Sequence, residues 1–230
     1  MKIGIFTDPH YSSHEVTCGN RYNNRSLQKI REAYKAFESA GCELVICLGD
    51  LTDKEDTHRR EIQNVEELAA FFATVQIPFI CVMGNHDAFS FEKEEFYRIL
   101  GGYQPENKVI GNKKLVFLDA CYFRSGKRYG PGDSDWTDTF LPDAQALREL
   151  LKEPYETYIF MHQNIDPQIR HDHRLYNADE LLTIIEESGH VKTVFQGHYH
   201  WGHEMSQNGV RYVTYPAMCE NENCWFIAEL

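Results

Sequence analysis

The sequence predicts an α/β fold with mixed β-sheet pairing, and three observations lead to this prediction. Short apolar runs typical of buried strands alternate with segments in which apolar residues recur at helical spacing. The first three strands alternate with helices in a βαβαβ order, which predicts parallel pairing. The dipeptide Asn208-Gly209 lies between two strand-like runs and is typical of a tight hairpin, which adds antiparallel strands.

The amino-terminal part of the chain supplies the βαβαβ unit. Apolar runs predict strands at 2–7, 44–48 and 79–83. Apolar residues recur every three or four positions over 26–39 and 65–72, which predicts a helix in each segment.

The remaining chain continues the alternation of short strands and helices. Pro142 is expected in the first turn of its helix, because it has no N–H to leave unpaired there. A segment at 124–138 is rich in Gly, Asp and Ser and is the least regular part. No repeat or shift in composition marks a boundary, so residues 1–230 are predicted to form one domain. The predicted strands are 115–118, 158–161, 191–195, 204–207, 210–215 and 225–228, and the predicted helices are 142–151 and 178–187.

Composition and charge limit the range of possible functions. With 230 residues, of which 42% are hydrophobic, the chain can bury one core, and no stretch is apolar and long enough to cross a bilayer. The first strand runs directly into the polar Asp8-Pro9-His10 turn, which leaves no room for a secretory signal, so a cytoplasmic location is expected. A net charge of −12 argues against binding of long nucleic acid but allows small anionic substrates.

The seven cysteines are predicted to be free thiols. Their number is odd, and Cys42, Cys47 and Cys81 lie in or beside apolar runs, where a thiol behaves as a small hydrophobic group. Cys219 and Cys224 lack the second pair of cysteines that would complete a zinc site.

Polar residues that can bind metal follow five of the predicted strands. Ligands of α/β sheets bind beyond the carboxyl ends of the strands, so these residues are expected to converge on one crevice. Each cluster alone is often an ordinary turn, but five of them in order predict a metal site. The clusters are Asp8 with His10, Asp50 with Asp53, Asn85 to Asp87, His162, and His198 with His200.

The residue types and their spacing favour a centre for two divalent cations. Residues two apart in extended chain project to the same side, which applies to the Asp8–His10 pair and to the His198–His200 pair. Oxygen and nitrogen donors without a thiolate suggest Mn²⁺, Fe²⁺/Fe³⁺ or Zn²⁺. Two such ions, bridged by a carboxylate and a hydroxide, can activate a nucleophile and neutralise a phosphoryl group. Asp50 is the natural bridging carboxylate.

These motifs resemble those of the calcineurin-like metallophosphoesterase superfamily, and the resemblance spans nearly the whole chain. It implies a sandwich of two mixed β-sheets flanked by α-helices, a four-layer α/β fold. It also implies that Asp50 is shared by two metal sites. The matching motifs are Asp8-Pro9-His10, Gly49-Asp50-Leu51-Thr52-Asp53, Gly84-Asn85-His86-Asp87, His162 and Gly197-His198-Tyr199-His200. The implied ligands are Asp8, His10, Asp50 and His200 for one metal and Asp50, Asn85, His162 and His198 for the other.

The resemblance also implies roles for residues that bind no metal. His86 would contact the phosphoryl group and protonate or stabilise the leaving oxygen, with Asp53 orienting its imidazole. Lys54 stands where phosphoprotein phosphatases of the superfamily carry Arg, which disfavours protein phosphatase activity because Lys cannot bind phosphate in a bidentate manner.

A finer resemblance is to the manganese-dependent ADP-ribose and CDP-alcohol diphosphatases, although that branch often has Gln at the position of His10. It rests on short motifs at 21–27, 118–120, 175–177 and 209–214. Arg21 and Arg25 could bind a second phosphate or form a solvated helix start, and Tyr22 could stack on a base. The charged segment 170–174 could line the mouth of the pocket or be a solvated face.

The sequence therefore predicts a metal-dependent phosphohydrolase that cleaves small phosphodiesters or nucleoside diphosphate derivatives through a hydroxide held by two metals. The partner is expected to be a small phosphorylated molecule, with nucleotides among the candidates. A phosphomonoesterase is the alternative, followed by a catalytically inactive metal-binding scaffold. A nuclease would need a basic surface, which the chain lacks. The substrate, the native metals and the oligomeric state stay open.

Overall fold

The computed structural model describes residues 1–133, 135–141 and 143–230, and it confirms the predicted α/β class. Most predicted elements are present, with ends that differ by one to three residues. The described strands are β1 (Lys2–Phe6), β2 (Leu44–Cys47), β3 (Phe79–Cys81), β4 (Lys108–Ile110), β5 (Lys113–Leu118), β6 (Glu156–Met161), β7 (Val191–Gln196), β8 (His203–Gln207), β9 (Val210–Thr214) and β10 (Trp225–Glu229). The described α-helices are α1 (Ser26–Ala40), α2 (His58–Phe72), α3 (Asn85–Ser90), α4 (Lys93–Leu100), α5 (Ala144–Leu150) and α6 (Ala178–Ser188).

The described strands form two mixed sheets. The smaller sheet has the order β10-β1-β2-β3, in which β1, β2 and β3 are parallel and β10 pairs antiparallel with β1. The larger sheet has the order β4-β5-β6-β7-β9-β8, with a parallel centre and an antiparallel strand at each edge. The predicted βαβαβ unit and the hairpin at Asn208-Gly209 are therefore both confirmed.

The two sheets pack face to face, and helices cover their outer sides. Side chains of both sheets meet in a shared apolar core, where the ring of Phe160 stacks between Phe117 at 5.2 Å and Phe195 at 5.1 Å. The other face of the smaller sheet packs against α1, α2 and α4. The other face of the larger sheet packs against α5 and α6. Because side chains alternate along a strand, each sheet can bury both faces, which gives four layers.

Three elements were not predicted, and one predicted helix begins earlier. Helix α2 begins at His58 instead of 65, because the side chain of Thr57 accepts a hydrogen bond from the backbone N–H of Arg60 at 3.3 Å and caps the helix. Helices α3 and α4 and strand β4 lie in the segment 85–110, where no helix or strand is predicted from the sequence. Pro142, predicted in the first turn of a helix, lies outside the described residues, and α5 begins at Ala144.

Within the part of the chain that the structure describes, no helix combines the length and apolar character needed to cross a membrane.

Candidate functional site

The predicted metal-binding residues converge at the carboxyl ends of parallel strands from both sheets. Asp8 and His10 follow β1, Asp50 follows β2, and Asn85 opens α3 after β3. His162 follows β6, and the pair of histidines at 198 and 200 follows β7. All seven side chains are buried, and none of these residues is more than 9% exposed. Residues that are 192 positions apart in the chain thus share one site, as strand order predicts.

A first group consists of the side chains of Asp8, His10, Asp50 and His200. The Nε2 of His200 lies 3.3 Å from Oδ1 of Asp8. The Nε2 of His10 lies 3.2 Å from the Nε2 of His200 and 3.6 Å from Oδ2 of Asp50. Two ring nitrogens this close repel each other unless a proton or a cation lies between them, so the group favours a bound cation.

A second group consists of Asn85, His162 and His198 together with Asp50, which it shares with the first. The Oδ2 of Asp50 lies 3.2 Å from Nε2 of His162, and the same nitrogen lies 3.0 Å from Oδ1 of Asn85. The ring of His198 lies 5.0 Å from the ring of His162, and donor atoms of Asp50, His162 and His198 lie within 4.8 Å of one another. One carboxylate therefore faces both groups.

The backbone is held in an unusual conformation where the two groups meet. Positive φ angles occur at Asp8 (50°), His10 (45°), Asp50 (50°) and His198 (65°). These are four of the six described non-glycine residues with positive φ. Such angles cost energy in L-residues and persist only where the surroundings enforce them, which is typical of functional sites.

Two motif glycines allow the loops to approach closely. A Cβ atom on Gly84 would lie 2.2 Å from Oδ1 of Asp50, and a Cβ atom on Gly197 would lie 2.1 Å from Oγ1 of Thr7. Neither contact is sterically allowed, so only glycine fits at these positions. The Thr7 hydroxyl in turn donates a hydrogen bond of 2.6 Å to Oδ2 of Asp8.

Two histidines are oriented by acceptors outside the groups. The Nδ1 of His162 lies 3.0 Å from the carbonyl oxygen of Leu48, and the Nδ1 of His200 lies 2.6 Å from Oε1 of Glu220. In the tautomer that satisfies these contacts, Nδ1–H donates and the Nε2 lone pair points to the centre. This arrangement is typical of metal-binding histidines.

The carboxylates at the centre are held in the ionised form. Burial by itself raises the pKa of Asp8, but the nearby imidazoles of His10 and His200 outweigh it and keep this pKa well below its usual value. Burial also opposes ionisation of Asp50, yet the charge of His162 lowers its pKa. The pKa of His10 is itself lowered to about 4 by burial and by His86. The ionised carboxylates of Asp8 and Asp50 therefore place buried negative charge at the centre, which is suited to a cation.

The donor set fits two divalent cations. Oδ1 of Asp8 is buried and has no hydrogen-bond donor in suitable geometry among the described residues. Buried charged groups are normally paired or coordinate a metal, so this oxygen lacks the partner that a cation would provide. The donors are carboxylate and amide oxygens and imidazole nitrogens, which suit manganese, iron or zinc.

His86 lies beside the two groups and has a different partner. Its Nδ1 is 2.8 Å from Oδ1 of Asp53, and its ring meets that of His10 edge to face at 4.5 Å. The other oxygen of Asp53 accepts a hydrogen bond from Asn23 at 3.1 Å and lies 3.6 Å from Nη1 of Arg21. His86 is thereby fixed in orientation, and its second ring nitrogen is left for another partner.

Two clefts of similar volume meet over His86. The first, of about 170 Å³, is lined by members of both groups and extends to Arg21 and Trp201. The second, of about 190 Å³, lies beyond Asp53. The first is lined by Cys18, Asn20, Arg21, Asp50, Asn85, His86, Trp136, His173, His198, His200, Trp201 and Glu220. The second is lined by Asp53, Lys54, Asn85, His86, Phe89, Tyr129 and Trp136.

The three predicted substrate contacts have different positions. Arg21 lines the first cleft and is held between Asp53 and Glu220, with its Nε 3.7 Å from Oε1 of Glu220. Tyr22 and Arg25 are exposed and stack on each other, with the guanidinium carbon 4.5 Å from the ring centre. Neither is among the residues that line the clefts.

Several cleft residues were not predicted to be part of the site. Glu220 lies in a polar run with no strand or motif to mark it, and Trp136 lies in the irregular segment 124–138. Its ring meets that of His198 edge to face at 4.6 Å. His173 also reaches the cleft, so the segment 170–174 lines the pocket mouth through this side chain. The one feature of the sequence that could have indicated a role for the segment 124–138 is its tryptophan, Trp136, among Gly and Asp residues.

Comparisons with known proteins agree with this geometry. Residues 1–202 match the calcineurin-like phosphoesterase family. The chain is 26% identical over 232 residues to the 3′,5′-cyclic adenosine monophosphate phosphodiesterase CpdA of Escherichia coli, an alignment that covers 95% of this chain and 76% of that protein. A probable cyclic nucleotide phosphodiesterase of Psychrobacter arcticus is 24% identical over 238 residues, which cover 93% of this chain and 78% of that protein.

A solved structure shows the same fold. The crystal structure of a dimetal phosphatase from Danio rerio superimposes with a TM-score of 0.82 and 17% identity, over 100% of this chain and 92% of that chain. The purple acid phosphatase PPD1 of yellow lupin gives a TM-score of 0.61 and 13% identity over 100% of this chain and 46% of that chain.

The fold and the site define a metal-dependent phosphoesterase, a hydrolase of phosphoester bonds. More specifically, the chain belongs to the calcineurin-like phosphoesterase family, whose members bind two divalent metals.

Proposed function

We propose that this enzyme hydrolyses small phosphodiesters and nucleoside diphosphate derivatives. The observation that carries the proposal is the pair of clefts that meet over His86, because they provide room for a substituent on each side of a phosphorus atom. A phosphomonoester has one substituent and would fill only one of the two clefts. The similarity to cyclic nucleotide phosphodiesterases of two bacteria supports cyclic nucleotides as candidate substrates.

The ligand assignment is part of the proposal. It is supported by the two groups that meet at Asp50 and by the buried Oδ1 of Asp8, which has no hydrogen-bond donor among the described residues. When bound, the two cations would activate the attacking water and neutralise charge on the phosphoryl group. The residues proposed for one cation are Asp8, His10, Asp50 and His200, and those proposed for the other are Asp50, Asn85, His162 and His198.

His86 is the proposed general acid, and Asp53 is its positioning residue. The 2.8 Å contact between Nδ1 and Asp53 fixes the ring, so Nε2 is available to donate a proton to the leaving oxygen. Arg21 is the proposed contact for a second anionic group, because it lines the first cleft and its contacts with Asp53 (3.6 Å) and Glu220 (3.7 Å) are longer than hydrogen bonds. Substrate contacts by Tyr22 and Arg25 stay a prediction.

The test compares bis(p-nitrophenyl) phosphate with p-nitrophenyl phosphate in the presence of Mn²⁺, Fe²⁺ or Zn²⁺, each with a chelator control. We expect kcat/KM for the diester to exceed that for the monoester by at least about tenfold, which corresponds to about 1.4 kcal/mol. A screen of 3′,5′-cyclic nucleotides and ADP-ribose then shows which of these compounds the enzyme hydrolyses. Preference for the monoester would establish the alternative phosphomonoesterase, and no turnover by protein with both metals would indicate an inactive scaffold.

A further inference from the structure

Two residues that line the second cleft are close neighbours of His86 and Asp53 in the chain. Phe89 lies three positions after His86 in α3, so the two side chains share one side of this helix. Lys54 follows Asp53 in sequence, and its Nζ lies 4.4 Å from the centre of the Phe89 ring. Tyr129 and Trp136 complete an apolar lining from the irregular segment of the chain. The proposed acid therefore has an aromatic surface beside it.

The two clefts differ in chemistry. The first is lined by members of both groups of proposed metal ligands and by Arg21, and Trp201 in its lining is 68% exposed. The second offers the rings of Phe89 and Tyr129, with the ammonium group of Lys54 at its edge. Charge on the transferred phosphoryl group suits the first cleft, whereas an uncharged planar group suits the second.

We propose that the second cleft is the leaving-group subsite and that it selects planar aromatic leaving groups, while the retained substituent lies in the first cleft toward Trp201. This inference rests on the proposed function. The leaving oxygen must lie within hydrogen-bond distance of the Nε2 of His86, which is on the border of the two clefts. The carbon skeleton attached to this oxygen then extends past His86 toward Phe89.

The proposed reaction is a hydrolysis in which one P–O bond replaces another. A new P–O bond forms to the oxygen of water, and the P–O bond to the leaving group breaks. His86 donates the Nε2 proton to the leaving oxygen, and the proton that water loses restores the acid through solvent. The leaving group departs as a phenol or alcohol into the second cleft. Lys54 also lines the second cleft and provides a positive charge on the side from which the leaving group departs.

The test uses two diesters that share a leaving group and differ in the retained group. Thymidine 5′-(p-nitrophenyl phosphate) retains a nucleoside, whereas methyl p-nitrophenyl phosphate retains a methyl group, and both release p-nitrophenol. For Phe89→Leu we expect KM to rise roughly 3- to 10-fold with both esters, the size of a lost aromatic contact. For Trp201→Ala we expect a comparable rise only with the thymidine ester.

Two further variants separate the ring contact from a folding defect. Phe89→Tyr retains the ring and should restore the KM of the native enzyme. Tyr176→Ala removes an aromatic side chain that is 55% exposed and lies outside both clefts, so it should leave KM unchanged with both esters. Thermal unfolding of each variant in the metal-loaded form shows whether the fold is intact.

The outcomes distinguish the two proposals. If native enzyme hydrolyses neither ester, the proposed function is wrong. If native enzyme is active and Phe89→Leu leaves KM unchanged with both esters, or raises it only with the thymidine ester, the leaving-group subsite is wrong while the function stands. A similar KM increase with both esters, reversed in Phe89→Tyr, supports the subsite.

Discussion

At the scale of single residues, the histidines of the centre and the neighbouring His86 differ in the oxygen acceptor that holds Nδ1. His162 and His200 each have Nδ1 bound to an oxygen acceptor, and their Nε2 atoms lie near Asp50 and Asp8. His86 has Nδ1 bound to Asp53 and lies outside both groups of proposed ligands. The same residue type can therefore bind metal or serve as an acid, according to its neighbours.

Replacement of His86 by Asn tests this division. We expect kcat to fall by about 10²- to 10⁴-fold, because a positioned proton donor is lost, while both metals stay bound. Steady-state kinetics and elemental analysis of the purified variant measure the two effects. The matched change Asp50→Asn should lower metal content itself. Near-full activity of His86→Asn toward a diester with a poor leaving group would show that His86 is not the acid.

Replacement of Gly84 by Ala tests the close approach of two loops. The new Cβ would meet Oδ1 and the backbone nitrogen of Asp50 at 2.2 and 2.3 Å, so the loops must move apart. Overpacking of this kind costs about 1–3 kcal/mol in the free energy of unfolding. Gly130→Ala is the control, because among the described residues its Cβ would have only Oε1 of Glu92 within 4 Å, at 3.8 Å. Urea unfolding measures both, and equal stabilities would contradict the packing argument.

Much of the site could be predicted at the residue scale, because its members are polar residues that follow apolar runs. Glu220 could not be predicted in this way. It reaches His200 because the chain after β9 returns to the first loop, where the N–H groups of Met218 and Cys219 bond to the carbonyl oxygens of Thr7 and Asp8. This return depends on long-range pairing, which leaves no local pattern.

At the scale of elements, the face shared by the two sheets fixes the distance between the loops that carry the site. Phe160 on β6 lies at the centre of this face, stacked on Phe117 and Phe195. Strand β6 also leads into His162, so the packing of this strand positions one of the proposed ligands.

We expect Phe160→Ala to lower the free energy of unfolding by about 3–5 kcal/mol, because it leaves a cavity in the core between the sheets. Ile227→Ala is the control, since this residue of the edge strand β10 is 46% exposed and should change stability by less than about 0.5 kcal/mol. Chemical denaturation monitored by tryptophan fluorescence gives both values. A loss below about 1 kcal/mol at Phe160 would mean that the sheets repack without it.

Most elements could be predicted from apolar periodicity, but α3 could not. It begins inside Gly84-Asn85-His86-Asp87, a composition that favours a turn. The Asp87 carboxylate accepts hydrogen bonds from the N–H groups of Gly84 and Leu51, at 3.0 and 3.1 Å. Burial and the nearby charge of Asp50 raise the pKa of Asp87 to about 7. Helix α4 did carry a signal, since Phe96, Tyr97 and Leu100 have helical spacing.

At the scale of the whole molecule, the proposed ligands join the two sheets. Asp8, His10, Asp50 and Asn85 come from loops of the smaller sheet, and the other three proposed ligands come from the larger sheet. A cation bound to both sets would link the sheets in the native state and would have no such site in the unfolded chain. Metal binding is therefore expected to add to stability by mass action.

We expect a chelator to lower the melting temperature of the protein and Mn²⁺ to restore it. At a free metal concentration of 100 times Kd, each site adds about 2.7 kcal/mol to the free energy of unfolding. Differential scanning calorimetry with and without EDTA measures the change. In Asp50→Asn the chelator should have a smaller effect, since the residue proposed to face both metals is altered. A melting temperature that does not respond to EDTA would contradict a link between the sheets.

The first cleft also contains a site for selective chemical labelling. Cys18 lines the first cleft and is exposed, whereas the other six cysteines are buried. A maleimide dye added to the folded protein should therefore attach at one position, beside the proposed metal centre. Its emission would then report the arrival of a cation or an ester in real time, with no need for turnover or a chromogenic substrate.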